Sequence, residues 1–111
     1  LLASREVMRG SCREMVDTDK FEQFVGDDGG PVAAQGEALG DFDAPELHSQ
    51  EGPRSKRFLE QVAAGRQASC TAQRGRNGRV IVYDRVIAVC RVRGRSIGDL
   101  LRAAGAPTGG N

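Results

Sequence analysis

The residues with the clearest chemical potential lie together in Phe42-Asp43-Ala44-Pro45-Glu46-Leu47. Pro45, with its φ fixed by the ring, stiffens a turn between two carboxylates three residues apart, so Asp43 and Glu46 can project into one site. Such a pair suits a hard cation held by oxygen ligands and a water activated by the second carboxylate. An acidic proline turn is also a common solvated surface feature, and the tetrapeptide alone does not decide between the two. His48, the single histidine, follows the turn and reads as an exposed loop residue. Cys12, Cys70 and Cys90 are far apart and form no C-x-x-C, so a thiolate zinc site is not expected. Cys70 and Cys90 fall on two segments expected to pair as a hairpin. There they form either a cross-strand disulfide or two buried apolar thiols, with Cys12 outside the pair.

The elements that must position these residues are uneven in strength. Residues 1 to 24 show no clean period and read as an irregular or partly helical lead-in to a strand near Phe21 to Val25. Asp27-Asp28-Gly29-Gly30-Pro31 marks a turn, and Val32 to Leu39 a weak strand paired with the one before it. Pro53 at a first-turn position, Phe58, Leu59, Val62 and Ala63 at helical spacing and Gly65 as a stop predict the clearest helix. Arg66 to Ala72 and Arg79 to Arg93 read as two strands joined across Gln73 to Gly78, with Asn77-Gly78 as the hairpin signal. In the second of them Val86, Ala88, Cys90 and Val92 share one face. Ser96 with Asp99 resembles a capping box, and Ile97, Leu100, Leu101 and Ala104 then predict a short helix ended by Gly105 and Pro107. The tail after Pro107 is expected to be disordered.

A chain of 111 residues with 39% hydrophobic and 28% charged residues has room for one core. No apolar stretch reaches the roughly 18 residues a membrane span needs, so no membrane partner is expected. The N-terminus lacks the apolar region of a signal peptide, and since Leu1 is not Met the true start is left open. A net charge of +1 conceals a strong split. Residues 1 to 52 carry twelve Asp and Glu against four Lys and Arg, whereas residues 53 to 111 carry three against twelve. Such a domain can hold a cation with its acidic half and phosphate groups with its basic half; alternatively each half solvates its own surface.

Asp43-Ala44-Pro45-Glu46 resembles the D-[AT]-P-E turn of the staphylococcal nuclease (thermonuclease) family. The likeness continues along the chain. Gly52-Pro53 with Phe58 and Val62 is similar to that family's first helix, and Ala64-Gly65-Arg66 with Ser69-Cys70 to the strand after it. Tyr83 to Cys90 resembles its Y-G-R-x-x-A motif, and Gly94 to Gly105 its G-x-x-[VI]-x-x-x-L-[VL]-x-x-G helix. The resemblance covers Phe42 to Gly105 and implies an α+β, mainly β fold: a five-stranded OB-fold barrel with two or three packed helices over residues 25 to 106. It further implies a monomeric Ca²⁺-dependent nuclease of DNA and RNA, single- or double-stranded, of the bacterial secreted or periplasmic type. Asp43 and the Ala44 carbonyl match two of its metal ligands, Glu46 the carboxylate that orients or deprotonates water, and Arg85 the phosphate-binding arginine. Asp28 is the expected remaining ligand, with Asp27 or Asp19 as alternatives because Gly26-Asp27-Asp28-Gly29 stands where V-D-G-D-T is usual. Tyr83 is either a base or sugar contact or a plain strand aromatic.

Two departures weigh against full activity. The family's second arginine, five residues before the turn aspartate, is Ala38 here. The family also continues past its last matched helix, whereas this chain stops at Asn111, as expected of a C-terminally short member. The competing expectation is a non-catalytic nucleic-acid-binding OB-fold domain derived from a nuclease.

Overall fold

In a computed structural model, residues 7–15, 20–26, 37–73, 81–82 and 85–109 are described. They form β1 (Val7–Met15), β2 (Lys20–Gly26), β3 (Glu37–Leu39), α1 (Gly52–Ala63), β4 (Gln67–Ala72), β5 (Ile81–Val82), β6 (Arg85–Val92), β7 (Arg95–Ser96) and α2 (Ile97–Ala104).

The strands make one seven-stranded sheet in the order β3-β2-β1-β4-β6-β5, with β7 paired to β6. This corrects the five-stranded OB-fold barrel expected from the resemblance. Strand β3 has three residues, two paired with β2 and three running parallel to β6 from Glu37 beside Val86 to Leu39 beside Ala88. That short seam curls one end of the sheet toward β6, and β5 and β7 lie outside it. Both added strands are two residues long, Ile81–Val82 antiparallel to the start of β6 and Arg95–Ser96 antiparallel to its end. A strand that short has no period to read.

Two local expectations change with it. The segment read as an irregular lead-in holds β1, which lies between β2 and β4. Its pairing with β2 is irregular from Cys12 to Met15, and such breaks in register blur the alternation that would have marked a strand. The strand expected from Arg79 to Arg93 is divided, because Ile81–Val82 folds back on Val86 and Arg85. The Asp27 to Pro31 turn and the Asn77-Gly78 signal lie outside the described residues.

The core forms where small buried residues on the sheet meet larger ones on the helices. Ala68, Cys70 and Ala72 alternate inward on β4, and Ala88, Cys90 and Val92 do so on β6. Leu59 and Ala63 of α1 and Ile97 and Leu101 of α2, each pair one helical turn apart, are buried against them. Helix α1 starts with proline in its first turn, and Gly65, at φ 73°, follows its end. At α2 the Asp99 amide donates to Ser96 Oγ at 2.9 Å, and Gly105 closes the helix at φ 83°. Arg102 donates to Asp99 Oδ1 at 2.7 Å. That bond, with a second from Ser96, holds the Asp99 carboxyl below the usual range. What this contributes to folding is present above the ordinary carboxylate pKa and lost as pH falls through the depressed one. No helix among the described residues is long and apolar enough to cross a membrane.

Cys70 and Cys90 stand directly opposite each other across β4 and β6, both fully buried, and are joined by a disulfide. The bridge closes a loop between positions 20 residues apart. Its reduction should lower stability by about 2–4 kcal/mol, the usual range for such a loop, read from denaturant melts of oxidised and reduced protein. Thiol titration of unreduced, denatured protein should find two thiols fewer than three cysteines supply; finding all three would show that no bridge forms.

Candidate functional site

Strand β3 ends at Leu39, and the Gly40 amide donates to the Ala88 carbonyl at 2.8 Å as the chain leaves the sheet. From Asp41 to Leu47 it belongs to no strand or helix, so its shape depends on what packs against it. Arg102 Nη1 donates to the Asp41 carbonyl at 2.8 Å, and its guanidinium lies 5.8 Å from the centre of the buried Phe42 ring. The Asp41 carboxylate rests against Gly98 of α2, where a Cβ would come within 2.7 Å of Oδ2. Asp41 Oδ1 is buried there with no hydrogen-bond partner among the described residues.

Glu46 is held through its backbone. Its carbonyl accepts from the Ser49 amide at 3.0 Å and from Ser49 Oγ at 2.7 Å, and the Gly52 amide donates to the Ser49 carbonyl at 3.1 Å. Gly52 is buried against the same carbonyls: a Cβ there would strike the Leu47 oxygen and come within 2.5 Å of the Glu46 oxygen. The residue that opens α1 therefore lets the helix start pack directly on the turn. The Glu46 side chain is left exposed, as are Asp43 and His48.

Asp43 and Ala44 meet the C-terminal segment. The Gly109 amide donates to the Asp43 carbonyl at 2.8 Å. A Cβ on Gly109 would lie 3.0 Å from each Asp43 carboxylate oxygen and 2.9 Å from the Ala44 carbonyl oxygen. Both Asp43 carboxylate oxygens and the Ala44 carbonyl oxygen thus lie close together against Gly109. Their chemistry suits a hard cation, for which 6–8 oxygen ligands at roughly 2.3–2.6 Å are usual, so water or further groups must complete the set. Among the described residues no three His, Cys, Asp or Glu gather into a metal-binding group. The remaining expected ligand, Asp28, and its alternatives Asp27 and Asp19 lie outside those residues, as does Tyr83.

Arg85 opens β6 opposite Val82. Ala38 pairs with Lys20 on one side and Ile87 on the other, so an arginine at position 38 would rise from the strand beside the one that carries Arg85. An unbroken strand would send positions 38 and 43 to opposite faces; β3 instead stops at Leu39, and the irregular segment sets the direction of Asp43 independently. The structure thus gathers Asp43, Ala44 and Glu46 on one turn and places Ala38 and Arg85 on adjacent strands. Sequence reasoning missed Gly109, Arg102 and Asp41. Each acts through a contact between distant parts of the chain, for which no local pattern exists.

The chain matches no family model, and no curated protein proves similar enough to count as a relative. The resemblance to the thermonuclease family stands on its motifs.

Gly109 offers a probe of these three oxygens. Its backbone is outside the left-handed region, but an alanine methyl would stand 2.9 Å from the Ala44 carbonyl oxygen and 3.0 Å from each Asp43 carboxylate oxygen, so the contact must shift to admit it. Gly109→Ala should therefore lower the melting temperature somewhat and disturb the arrangement of these oxygens. Binding of Ca²⁺ by calorimetry, or of Tb³⁺ by luminescence, should weaken by roughly tenfold or more, as for groups that position metal ligands. Unchanged affinity would remove the cation from these oxygens.

Proposed function

We propose that the protein is a Ca²⁺-dependent phosphodiesterase that cleaves DNA and RNA, secreted or periplasmic and monomeric, with activity reduced by the absence of one arginine. The observation that carries this reading is the closeness of the Asp43 carboxylate and the Ala44 carbonyl oxygen against Gly109, with Glu46 exposed on the same turn. A bound Ca²⁺ would act there as a Lewis acid on a phosphate oxygen. Asp43 and Ala44 would hold it, with Asp28 as the further ligand that the resemblance implies. Glu46, exposed and fixed through its backbone, takes the proton of the attacking water. Arg85 offers paired N–H donors to the phosphoryl oxygens, and Tyr83 a face for a base or sugar. The positive second half of the chain draws the substrate in by its backbone charge. A bridged Cys70–Cys90 pair suits an oxidising compartment.

Ala38 favours a second reading, a nucleic-acid-binding domain that has lost catalysis. Cleavage of a fluorescent single-stranded DNA with Ca²⁺ and with chelator separates the two. Under the catalytic reading Glu46→Gln lowers kcat with oligonucleotide binding largely kept, whereas Asp43→Ala also weakens Ca²⁺ binding. Equal turnover in wild type and Glu46→Gln would remove Glu46 from the chemistry.

Ala38→Arg reads the missing charge. A preorganised donor of this kind contributes on the order of 10²- to 10³-fold in rate. The surroundings of position 38 have not been shaped for a guanidinium, so we expect a gain of roughly tenfold in kcat, with DNA binding less changed. No gain, in a variant that folds and binds Ca²⁺, would put the non-catalytic reading first.

A further inference from the structure

Away from the Asp43 turn, the end of α1, the β6–β7 turn and the outer side of α2 enclose a cleft of about 300 Å³. Arg66, Arg93 and Arg95 stand around it, and Val62, Val92 and Leu100 contribute its apolar surface. A second cleft of about 310 Å³ shares Arg66, Val92 and Arg93 and continues past Gly65 and Gln67. The two share a wall and together make one furrow, and among the described residues no carboxylate lines either part. All three arginines are exposed, and none is ion-paired with a carboxylate among the described residues. The carboxylate that feels Arg95 is Asp99, which is already bonded to Arg102.

Arg93 gives the furrow a direction of interpretation. Because Val92 pairs with Arg95, the β6–β7 turn has two central residues, Arg93 at φ 53° and Gly94 at φ 82°. Both positions need the left-handed backbone, where Asn, Asp or Gly is favoured first and Gly second. An arginine in the first position has an unfavourable backbone, and its side chain makes no bond among the described residues in return. Arg93 instead lines both clefts.

We propose that this furrow binds the sugar-phosphate backbone of a nucleic-acid strand, at a site separate from the Asp43–Glu46 turn. Arg66, Arg93 and Arg95 meet successive phosphates, and sugar or base faces lie on Val62, Val92 and Leu100. Phosphates spaced along a strand match cations spaced along a furrow, and guanidinium forks match their oxygens. The proposal rests on the nucleic-acid substrate of the reading above, not on its cleavage chemistry.

The test is anisotropy of a fluorescein-labelled oligothymidylate in chelator, where strand binding is read without cleavage. Arg93→Gly removes the guanidinium and places the residue that suits φ 53°, so the variant should fold with an unchanged or raised melting temperature. It should bind roughly threefold to tenfold more weakly, and its slope of log K against log salt should fall by about 0.7, one single-strand phosphate contact. Arg66→Ala should act alike, and a labelled dinucleotide, too short to reach both sites, should bind wild type and variants equally. Oligothymidylate affinity and salt slope unchanged in both variants would overturn the furrow and leave the nuclease reading standing. Weakened binding together with a wild type that never cleaves in Ca²⁺ would support the furrow and defeat the nuclease reading. A wild type that binds no oligonucleotide would defeat both. Loss of heparin binding alone would assign the furrow to another polyanion and overturn the proposal.

Discussion

Strand β6 is the member on which the remaining structure hangs, since within eight residues it pairs with β3, β4, β5 and β7. So many partners demand a backbone reached from several directions, and the fully buried Ala88 and Cys90 are small enough to let neighbours close in. The same strand sets the address of each chemical feature. Arg85 is its first residue, Ile87 is the register partner of Ala38, and the Ala88 carbonyl holds Gly40 just before the acidic segment. Cys90 ties it to β4, and Arg93 follows its end. A shift of one residue in β6 would turn each of these to the wrong face.

Features that depend on neighbours in sequence were readable before the fold was known. Pro53 and Gly65 bracket α1, and Ser96 and Gly105 bracket α2, because capping and φ-restricted positions write their requirements into a few adjacent residues. The antiparallel partnership of β4 with β6 was readable from alternation, and with it the opposition of Cys70 and Cys90. Strand number and strand order were not. Strand β3 is bound to β6 by a parallel pairing across a long stretch of chain, and β1 alternates too irregularly to declare itself. At the site, Pro45 and its flanking carboxylates were legible as a turn. The backbone approaches of Gly52 and Gly109 that shape it were not, since a glycine chosen for contact looks the same in sequence as one chosen for a bend.

The division of charge takes on a different meaning in three dimensions. The acidic half supplies β1, β2 and β3 and the basic half β4 and β6, yet β1 lies beside β4 and β3 beside β6. The halves are woven through one sheet instead of folding as two separate poles. The surplus then collects where strands and helices end: carboxylates on the segment after β3, and guanidiniums at the junction of α1 with the β6–β7 turn.

The contact between Gly109 and Asp43 couples the two ends of this description by mass action. One backbone hydrogen bond holds the segment after α2 against the oxygens of the acidic turn, and such a contact belongs to the parts of a fold that open first. Whatever occupies those oxygens differs in free energy between the docked and the opened segment, and the coupling must run both ways. An ion that binds more tightly with the segment docked would suppress its breathing by the same factor by which docking raises the ion's affinity. One that needs the room would expel the segment as it enters. Through that one hydrogen bond the acidic turn and the chain beyond α2 are thermodynamically linked.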